Sequence, residues 1–565
     1  MTMPPTSPAR RRVSRETAPL AADARPHLAS DIAFEVVADE AVWIVMVHGV
    51  PSSRVSRAVV DLLTAMNGET PLRDLHVRFA ATESLESFLH LAERFRANGL
   101  LEGDTKLPPG RLTYRPPFTV QFATLHAPGI FRRLDRLLVP LSRRTVLISV
   151  VVLLCLGLLA ATVQARDLLN VITTPMPLTG LLILVAVLSL MTLLHEVAHG
   201  LTLTRFGGRP RRAGFMLFYL APAFFVDVTD GWRLPDRRQR VAIALAGPAV
   251  HAVVAAVALL AALALPQPAI HQILLLLALS CAAIVLVNLI PFVRFDGYIA
   301  LMSALDEPNL RVRAIGDGAN FLTRFLFGGR RTSRGLDVWW SVPFGLASLV
   351  APVVLVLFAV ARTAQALAGG GPVLGLFVVA LETVVVLVGI VLVSKALRRV
   401  LRSGVSRLRF AVVTTALVAS IAVAGVVIPV PLTATLGFAA RDAQVVLVSA
   451  GDEAEAEVPE GAPVVLMSSG VLANVQVGEG TVRPRRPEPT TVPLDALFPV
   501  TADGVSVPAA IVAGVDVSEE SGELPATGQA RVELGTRNLW QTLWTRGVTL
   551  PLSTLQSENE EEDEK

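Results

Sequence analysis

The sequence predicts a polytopic α-helical membrane protein of about seven transmembrane helices, with a small N-terminal α+β winged-helix domain and a C-terminal β-rich domain. Three observations predict it. Of 565 residues, 52% are hydrophobic and only 17% charged, and the mean hydropathy of +0.57 is too high for an ordinary soluble globule. Apolar runs of about twenty residues, the length a bilayer requires, recur near 145–164, 178–204, 241–265, 271–291, 341–362, 373–394 and 410–430. Before them lies a hairpin-and-helix pattern, and after them come short Val-, Gly- and Thr-rich segments between turn residues.

Residues 1–30 mix Pro, Ser, Ala and Arg without an apolar stretch, which predicts a disordered basic tail. No h-region precedes the run near Thr145, so the segment does not read as a cleavable signal peptide. Residues 31–106 begin with IAFEVV and AVWIVMV, separated by the turn-prone ADE, a hairpin signature. SRVSRAVVDLLTAM then shows apolar spacing at three and four, Asn67-Gly68-Glu69-Thr70 breaks it, and SLESFLHLAERFRANGLL carries a second amphipathic face ending at Asn98-Gly99. Strands and helices in this order give a winged-helix pattern. A packing domain without a ligand has the same periodicity.

Residues 107–144 read as a linker and juxtamembrane segment, and 145–430 as the transmembrane domain. Residues 437–553 contain AQVVLVSA, APVVLMSS and VSVPAAIVAGVDV, which predict a β-rich domain. The stretch 554–565 is an acidic tail. Lys and Arg number 26 in the connections 132–144, 205–240, 294–334 and 395–409, against only Arg166 and Arg362 beside the others. The positive-inside rule then predicts a cell-membrane protein with a cytoplasmic N-terminus and, after an odd number of spans, an extracytoplasmic C-terminus. The two cysteines, Cys155 and Cys281, sit in apolar runs and cannot build a thiolate metal site. Nothing in the charge pattern points to nucleic acid.

The second span contains LLHEVAHG, residues 193–200. Four residues advance a helix by slightly more than one turn, so His195 and His199 face the same way and can share one tetrahedral Zn2+. Glu196 points to the neighbouring side, where it can take a proton from water instead of ligating. Two imidazoles and a carboxylate within one span are costly unless paired or metal-bound, which favours a functional cluster. The candidate for a third ligand, from another helix, is Asp296 in NLIPFVRFDGY, where Pro291 and Gly297 break the helix. An interfacial helix cap is the competing reading of Asp296.

These residues resemble the site-2-protease family of intramembrane zinc metallopeptidases. The resemblance rests on His195 to His199, on Asn288-Leu289-Ile290-Pro291 and on Asp296-Gly297; Phe295 stands where that family usually has Leu. The segment FFVDVTDGWRLPDRRQRVAIALAGPAV, with Ala246-Gly247-Pro248, and the later GYIALMSALDEPNLRVRA are similar to the peptide zinc metalloprotease branch. Many relatives have Asn after Gly-Pro-x-x, where this chain has His251, read either as an inward hydrogen-bonding histidine or as a substrate or oxyanion group. Asn288 is a second such candidate, Asp227 reads as structural, and Glu382 falls outside the matched stretch. Residues 31–106, through LLTAMNGETPLRDL and ERFRANGLL, resemble the leader-recognition domain of the pyrroloquinoline-quinone chaperone type.

The resemblance implies hydrolysis of a peptide bond, with Glu196 catalytic and His195, His199 and Asp296 holding zinc. The implied substrate is a peptide or membrane protein in contact with the lipid bilayer, and the implied process is leader removal from a ribosomally made, modified peptide whose leader the N-terminal domain holds. Regulated intramembrane proteolysis of a signalling protein is the alternative within the same chemistry. A non-catalytic peptide-export accessory is the alternative outside it.

Overall fold

The computed structural model describes residues 20–37, 42–47, 50–102, 112–115, 119–124, 126–138, 142–218, 221–329, 335–336, 338–367, 372–441, 444–451, 458–519, 522, 524–545 and 549. The basic tail before residue 20 and the acidic tail 554–565 lie outside the described residues. Two compact units divide the chain, one formed by Met1–Val139 with Glu196–Ile243, the other by Pro140–His195 with Ala244–Lys565.

Strands β1 (Ile32–Val37), β2 (Val42–Val47) and β3 (Val50–Val55) form an antiparallel sheet in the order β1-β2-β3. Helices α1 (Arg57–Ala65), α2 (Leu72–Phe79) and α3 (Leu85–Ala97) follow. The anticipated hairpin therefore gains a third strand. Val55 lies one helical turn before Val59, so helical periodicity runs back past the true boundary, which pairing of Val55 with Trp43 sets. Helix α2 is also additional to the two amphipathic segments read from sequence. The Asn67 side chain accepts from the Glu69 and Thr70 amides and Gly68 takes φ +82°, which makes the turn that separates α1 from α2. Ser84 caps α3, and Gly99 at φ +74° closes it, with Leu100 N–H donating to Phe95 O and Gly99 N–H to Arg96 O.

Residues 20–30, expected to be tail, pack on this domain instead. Leu20, Ala24 and Leu28 recur every four residues and lie against the core of Leu63, Met66, Leu72 and Leu75. The linker 107–144 likewise contains structure: β4 (Leu112–Arg115), β5 (Thr119–Thr124) and α4 (Ala127–Leu138). Short exposed strands are weak in a one-dimensional pattern because their partners are distant.

Beyond α5 (Arg143–Val163), the chain forms α6 (Ala165–Thr173), β6 (Met176–Pro177) and α7 (Leu178–Arg205). The boundary between the two units falls inside α7, which is one continuous helix. Strands β7 (Ala213–Phe218) and β8 (Ala221–Val226) then complete an antiparallel sheet in the order β4-β5-β7-β8. A Cβ on Gly214 would lie 2.0 Å from the Phe122 carbonyl oxygen, so the pairing of β5 and β7 requires glycine there. A 3-10 turn over Thr229–Arg233 follows. It buries Asp230, which accepts from the Arg209 amide at 2.8 Å and faces the Arg211 and Arg233 guanidinium groups. Arg233 also pairs with Glu35 on β1.

Helices α8 (Arg237–Ala264), α9 (Pro268–Asn288), α10 (Asp296–Leu305), α11 (Leu310–Phe327), α12 (Ser341–Leu367), α13 (Pro372–Arg402) and α14 (Arg407–Val427) continue the chain. Among the described residues, seven helices, α5, α7, α8, α9, α12, α13 and α14, are long and apolar enough to cross a membrane, matching the seven runs read from sequence. One apolar core draws Ala160 of α5, Val171 of α6, Leu184 of α7, Leu259 of α8 and Leu276 of α9 together. Small residues allow the closest approach, and a Cβ on Gly157 would lie 2.5 Å from that of Ala256. By contrast, α13 and α14 leave most of their apolar surface outward, as lipid-facing helices do.

Pro429 and Pro431 stop α14, because proline supplies no helical N–H, and β9 (Pro429–Arg441) starts at once. The β-rich domain thus begins earlier than residue 437. Strands β10 (Gln444–Ala450), β11 (Pro463–Met467), β12 (Gln476–Arg483), β13 (Glu488–Pro493), β14 (Val500–Thr501), β15 (Ser506–Val517) and β16 (Thr527–Asn538) follow. The order β10-β9-β16-β11-β12-β15, closed by pairing of β15 with β10, makes a six-stranded antiparallel barrel, with β13 also paired to β15. Phe438, Leu447, Val464, Leu466 and Val532 fill its core. The barrel grips the segment that leads into α7: β14 pairs in parallel with β6, and the Leu472 and Ala473 amides donate to Ile172 O at 3.2 Å. A last helix, α15 (Leu539–Trp544), packs on α14 through a Trp540 Nε1–H donor to Ala422 O at 3.1 Å.

Replacing Gly157 by Val should lower the melting temperature of purified protein, since overpacking costs about 1–3 kcal/mol. Gly389→Ala, on α13 with nothing within 4 Å of the new Cβ, should leave it unchanged or raise it. Equal melting temperatures for wild type and Gly157→Val would show that α5 and α8 do not pack this closely.

Candidate metal centre

Helix α7 is mostly apolar, and before the terminal Arg205 its ionisable side chains are His195, Glu196 and His199. His195 and His199 are buried and Glu196 is half-buried. Asp296 opens α10, in the first turn after the chain leaves α9. Gly297 explains how α10 starts so close to the end of α9: a Cβ there would lie 2.4 Å from the Leu289 carbonyl oxygen. Bulkier residues would push the Asp296 carboxylate away.

His195 Nε2 and Asp296 Oδ2 lie 3.0 Å apart. With His199, one helical turn along α7, they offer one ligand atom each, all within 4.8 Å of one another. Ligand atoms around a tetrahedral ion at about 2.0–2.1 Å sit roughly 3.3 Å apart, so the His195–Asp296 pair already has about the required spacing and the set as a whole would draw in to hold Zn2+. The donor types fit as well, two imidazoles and one carboxylate being a usual zinc set with a fourth position left for water.

The flanking hydrogen bonds fix orientation. His199 Nδ1 lies 2.7 Å from the Ile243 carbonyl oxygen, so the ring donates from Nδ1 and keeps the Nε2 lone pair for a ligand role. Pro248 in α8 gives no donor to the Ala244 carbonyl, which loosens the helix beside Ile243. Glu196 is not among the grouped ligand atoms, and its Oε2 accepts the Val226 amide of β8 at 2.9 Å. That bond ties the carboxylate to the β8 backbone.

The two substrate candidates read from sequence part company here. Asn288 Nδ2 donates to Ile284 O at 2.9 Å, one turn back on its own helix. His251, on α8, is fully buried, with its ring centroid 5.4 Å from that of His195. Asp227 makes a local turn, accepting from the Thr229 amide at 3.1 Å. Glu382 lies on α13 and is not part of the ligand set. Sequence reasoning missed the Val226 amide and the Ile243 carbonyl because backbone groups have no residue-type signal. It also passed over Asp230, whose burial comes only from the tertiary fold.

Family models, curated proteins and solved structures were each compared with the chain, and none matches it.

Purified protein should retain close to one zinc per chain by elemental analysis. Asp296→Ala should weaken retention as strongly as His199→Ala, since each removes one of three ligands. Retention unaffected by Asp296→Ala would place the third ligand elsewhere.

Proposed function

We propose that this chain is a zinc-dependent endopeptidase that cuts a peptide bond within the membrane, most favourably to release the leader from a ribosomally made, modified peptide. The observation that supports it is the meeting of His195 and Asp296 at 3.0 Å beside His199, with a glutamate on the same helix turned away from the ligand set to the Val226 amide.

Bound zinc supplies Lewis acidity, which polarises the scissile carbonyl and makes water acidic enough to lose a proton near neutral pH. The protein's own groups do the rest. Glu196 takes the proton from the attacking water and delivers it to the leaving amine, while the Val226 amide keeps its carboxylate aimed. His199, held by Ile243 O, and His195 hold their rings in the ligand direction. His195 lies ten residues before Arg205, about 15 Å along the helix, so cleavage falls in or near the leaflet next to the basic loops. An extended or unwound substrate segment must enter, because a helix hides its carbonyls.

The three-stranded sheet of the N-terminal domain supports a leader-binding role: its edges leave backbone donors and acceptors to which an extended peptide can add as a strand. Joined to the protease on one chain, a domain that holds the leader raises the effective concentration of the scissile segment.

Glu196→Gln should retain zinc yet cut a leader-bearing precursor some 10²–10⁴-fold more slowly, the range for a lost general base. A chain lacking residues 1–106 should keep its zinc and show a raised KM for leader-bearing precursors but an unchanged one for leaderless peptides. Normal turnover by Glu196→Gln would remove Glu196 as the base, whereas no turnover by the wild-type protein would favour a scaffold. Equal KM with and without the domain would favour proteolysis of a membrane-tethered signalling protein.

The charge count supports a cytoplasmic N-terminus. A reporter active only outside the cytoplasm should work when fused after Ala440 and fail when fused after Arg331. The reverse pattern would turn the protein over.

A further inference from the structure

His251 is set apart from the other described buried or half-buried histidines by what surrounds it. His199 Nδ1 bonds the Ile243 carbonyl at 2.7 Å, and His271 lies 3.0 Å from the Ala262 carbonyl and 3.8 Å from Asp167. His251 has 0% exposure, yet neither its Nδ1 nor its Nε2 has a hydrogen-bond partner among the described residues. A neutral imidazole carries one donor and one acceptor, and burying both unsatisfied opposes folding by more than a typical hydrogen bond contributes. An apolar side chain would serve a purely packing role better. The unmet need therefore points to a polar group that occupies the site only in the working complex.

Geometry narrows what that group is. The His251 ring is inclined at 55° to that of His195, centroid to centroid 5.4 Å. It stands next to the ligand set but is not one of the residues whose ligand atoms lie within 4.8 Å of one another. A side chain beside His195 but outside that set is placed to approach a substrate atom held next to it. A fourth protein ligand would also close the position that hydrolysis needs open. The proton-transfer role is already taken by Glu196, on the side of α7 where the Val226 amide holds it.

We propose that His251 is a catalytic residue that donates an imidazole N–H to the carbonyl oxygen of the scissile peptide bond. This rests on the metallopeptidase reading given above. As water adds to the carbonyl carbon, the C=O π pair moves to oxygen and the water's proton goes to Glu196. The His251 N–H stabilises the charge gathering on that oxygen and keeps its own proton throughout. The donor counts for more in a buried site than in water, because no solvent competes for the oxygen. Asn288, whose amide is already bonded to Ile284 O, is not needed for this role.

The test separates ground-state binding from binding of the charged, tetrahedral geometry. Full-length protein loaded with cobalt(II) would be titrated with a phosphinic pseudo-dipeptide flanked by Phe and Leu, whose tetrahedral anion mimics the attacked carbonyl, and followed by cobalt absorption. The matching Phe-Leu peptide amide would be titrated in the Glu196→Gln background. His251→Ala should keep its zinc and its elution profile, bind the phosphinate 10²–10³-fold more weakly, and bind the amide within about threefold of the unmutated histidine. His251→Asn, which restores an N–H donor, should recover part of the phosphinate affinity. Unchanged phosphinate affinity in His251→Ala would overturn the proposal, and loss of zinc would make His251 a ligand instead. Equal weakening of both probes, or a misfolded His251→Ala with His251→Asn no better than a His251→Leu variant that folds, would also overturn it by showing a packing role. A wild-type protein that retains no zinc would fail the metallopeptidase reading itself, a result visible before any His251 variant is made.

Discussion

The approach of His195 Nε2 to Asp296 Oδ2, at 3.0 Å, is the constraint around which the transmembrane part is organised. Both groups are strongly polar and sit on elements surrounded by Leu, Val and Ala, where an unpaired imidazole or carboxylate is costly. They meet because α9 ends at Asn288 and α10 begins at Asp296 against the Leu289 backbone, a contact that only Gly297 permits. The glycine next to the aspartate is thus a steric requirement. Packing of α5, α7, α8 and α9 through small residues such as Gly157 and Ala256 keeps that geometry in a bundle where association depends on close contact more than on hydrophobicity.

Around that pair, the backbone holds the side chains to separate tasks. Ile243 O fixes the His199 ring and Val226 N–H fixes Glu196. Both partners belong to the same compact unit as the residues they orient. The last strand of the sheet built from β4, β5, β7 and β8 therefore supplies the backbone donor that Glu196 accepts. The C-terminal barrel contributes at the other end of α7, where β14 extends β6 immediately before Leu178. A domain with no catalytic signature of its own thereby restrains the start of the helix that bears both histidines.

Much of this was legible in one dimension, and the reasons differ by residue. The seven apolar helices follow from hydropathy over some twenty residues, a local property. His195 and His199 share a face because of helical pitch alone, and Glu196 is offset from it by the same arithmetic. Asp296 was legible through its Pro and Gly neighbours, although its distance from His195 was not. The turn at Asn67-Gly68 and the stop at Asn98-Gly99 were likewise local. Boundaries failed where two periodicities overlap, as at Val55, or where an apolar helix runs into a strand, as at Pro429.

What the sequence by itself determined is the set of chemical groups and the local geometry each imposes: spans, turns, and a histidine pair with a glutamate between them. Only the tertiary structure decided which distant groups complete them. Residues 112–115 and 119–124 became strands because β7 lies beside β5, and the barrel closed because β10 found β15, pairings that depend on contacts far apart in the chain. Asn288 and His251 are both candidates in the sequence; the fold gives Asn288 a carbonyl on its own helix and buries His251 with neither nitrogen bonded among the described residues. The physical reason is the same in each case: a hydrogen-bond partner is chosen by proximity in space, and backbone groups, which every residue carries alike, leave no mark in the sequence to announce where that proximity will arise.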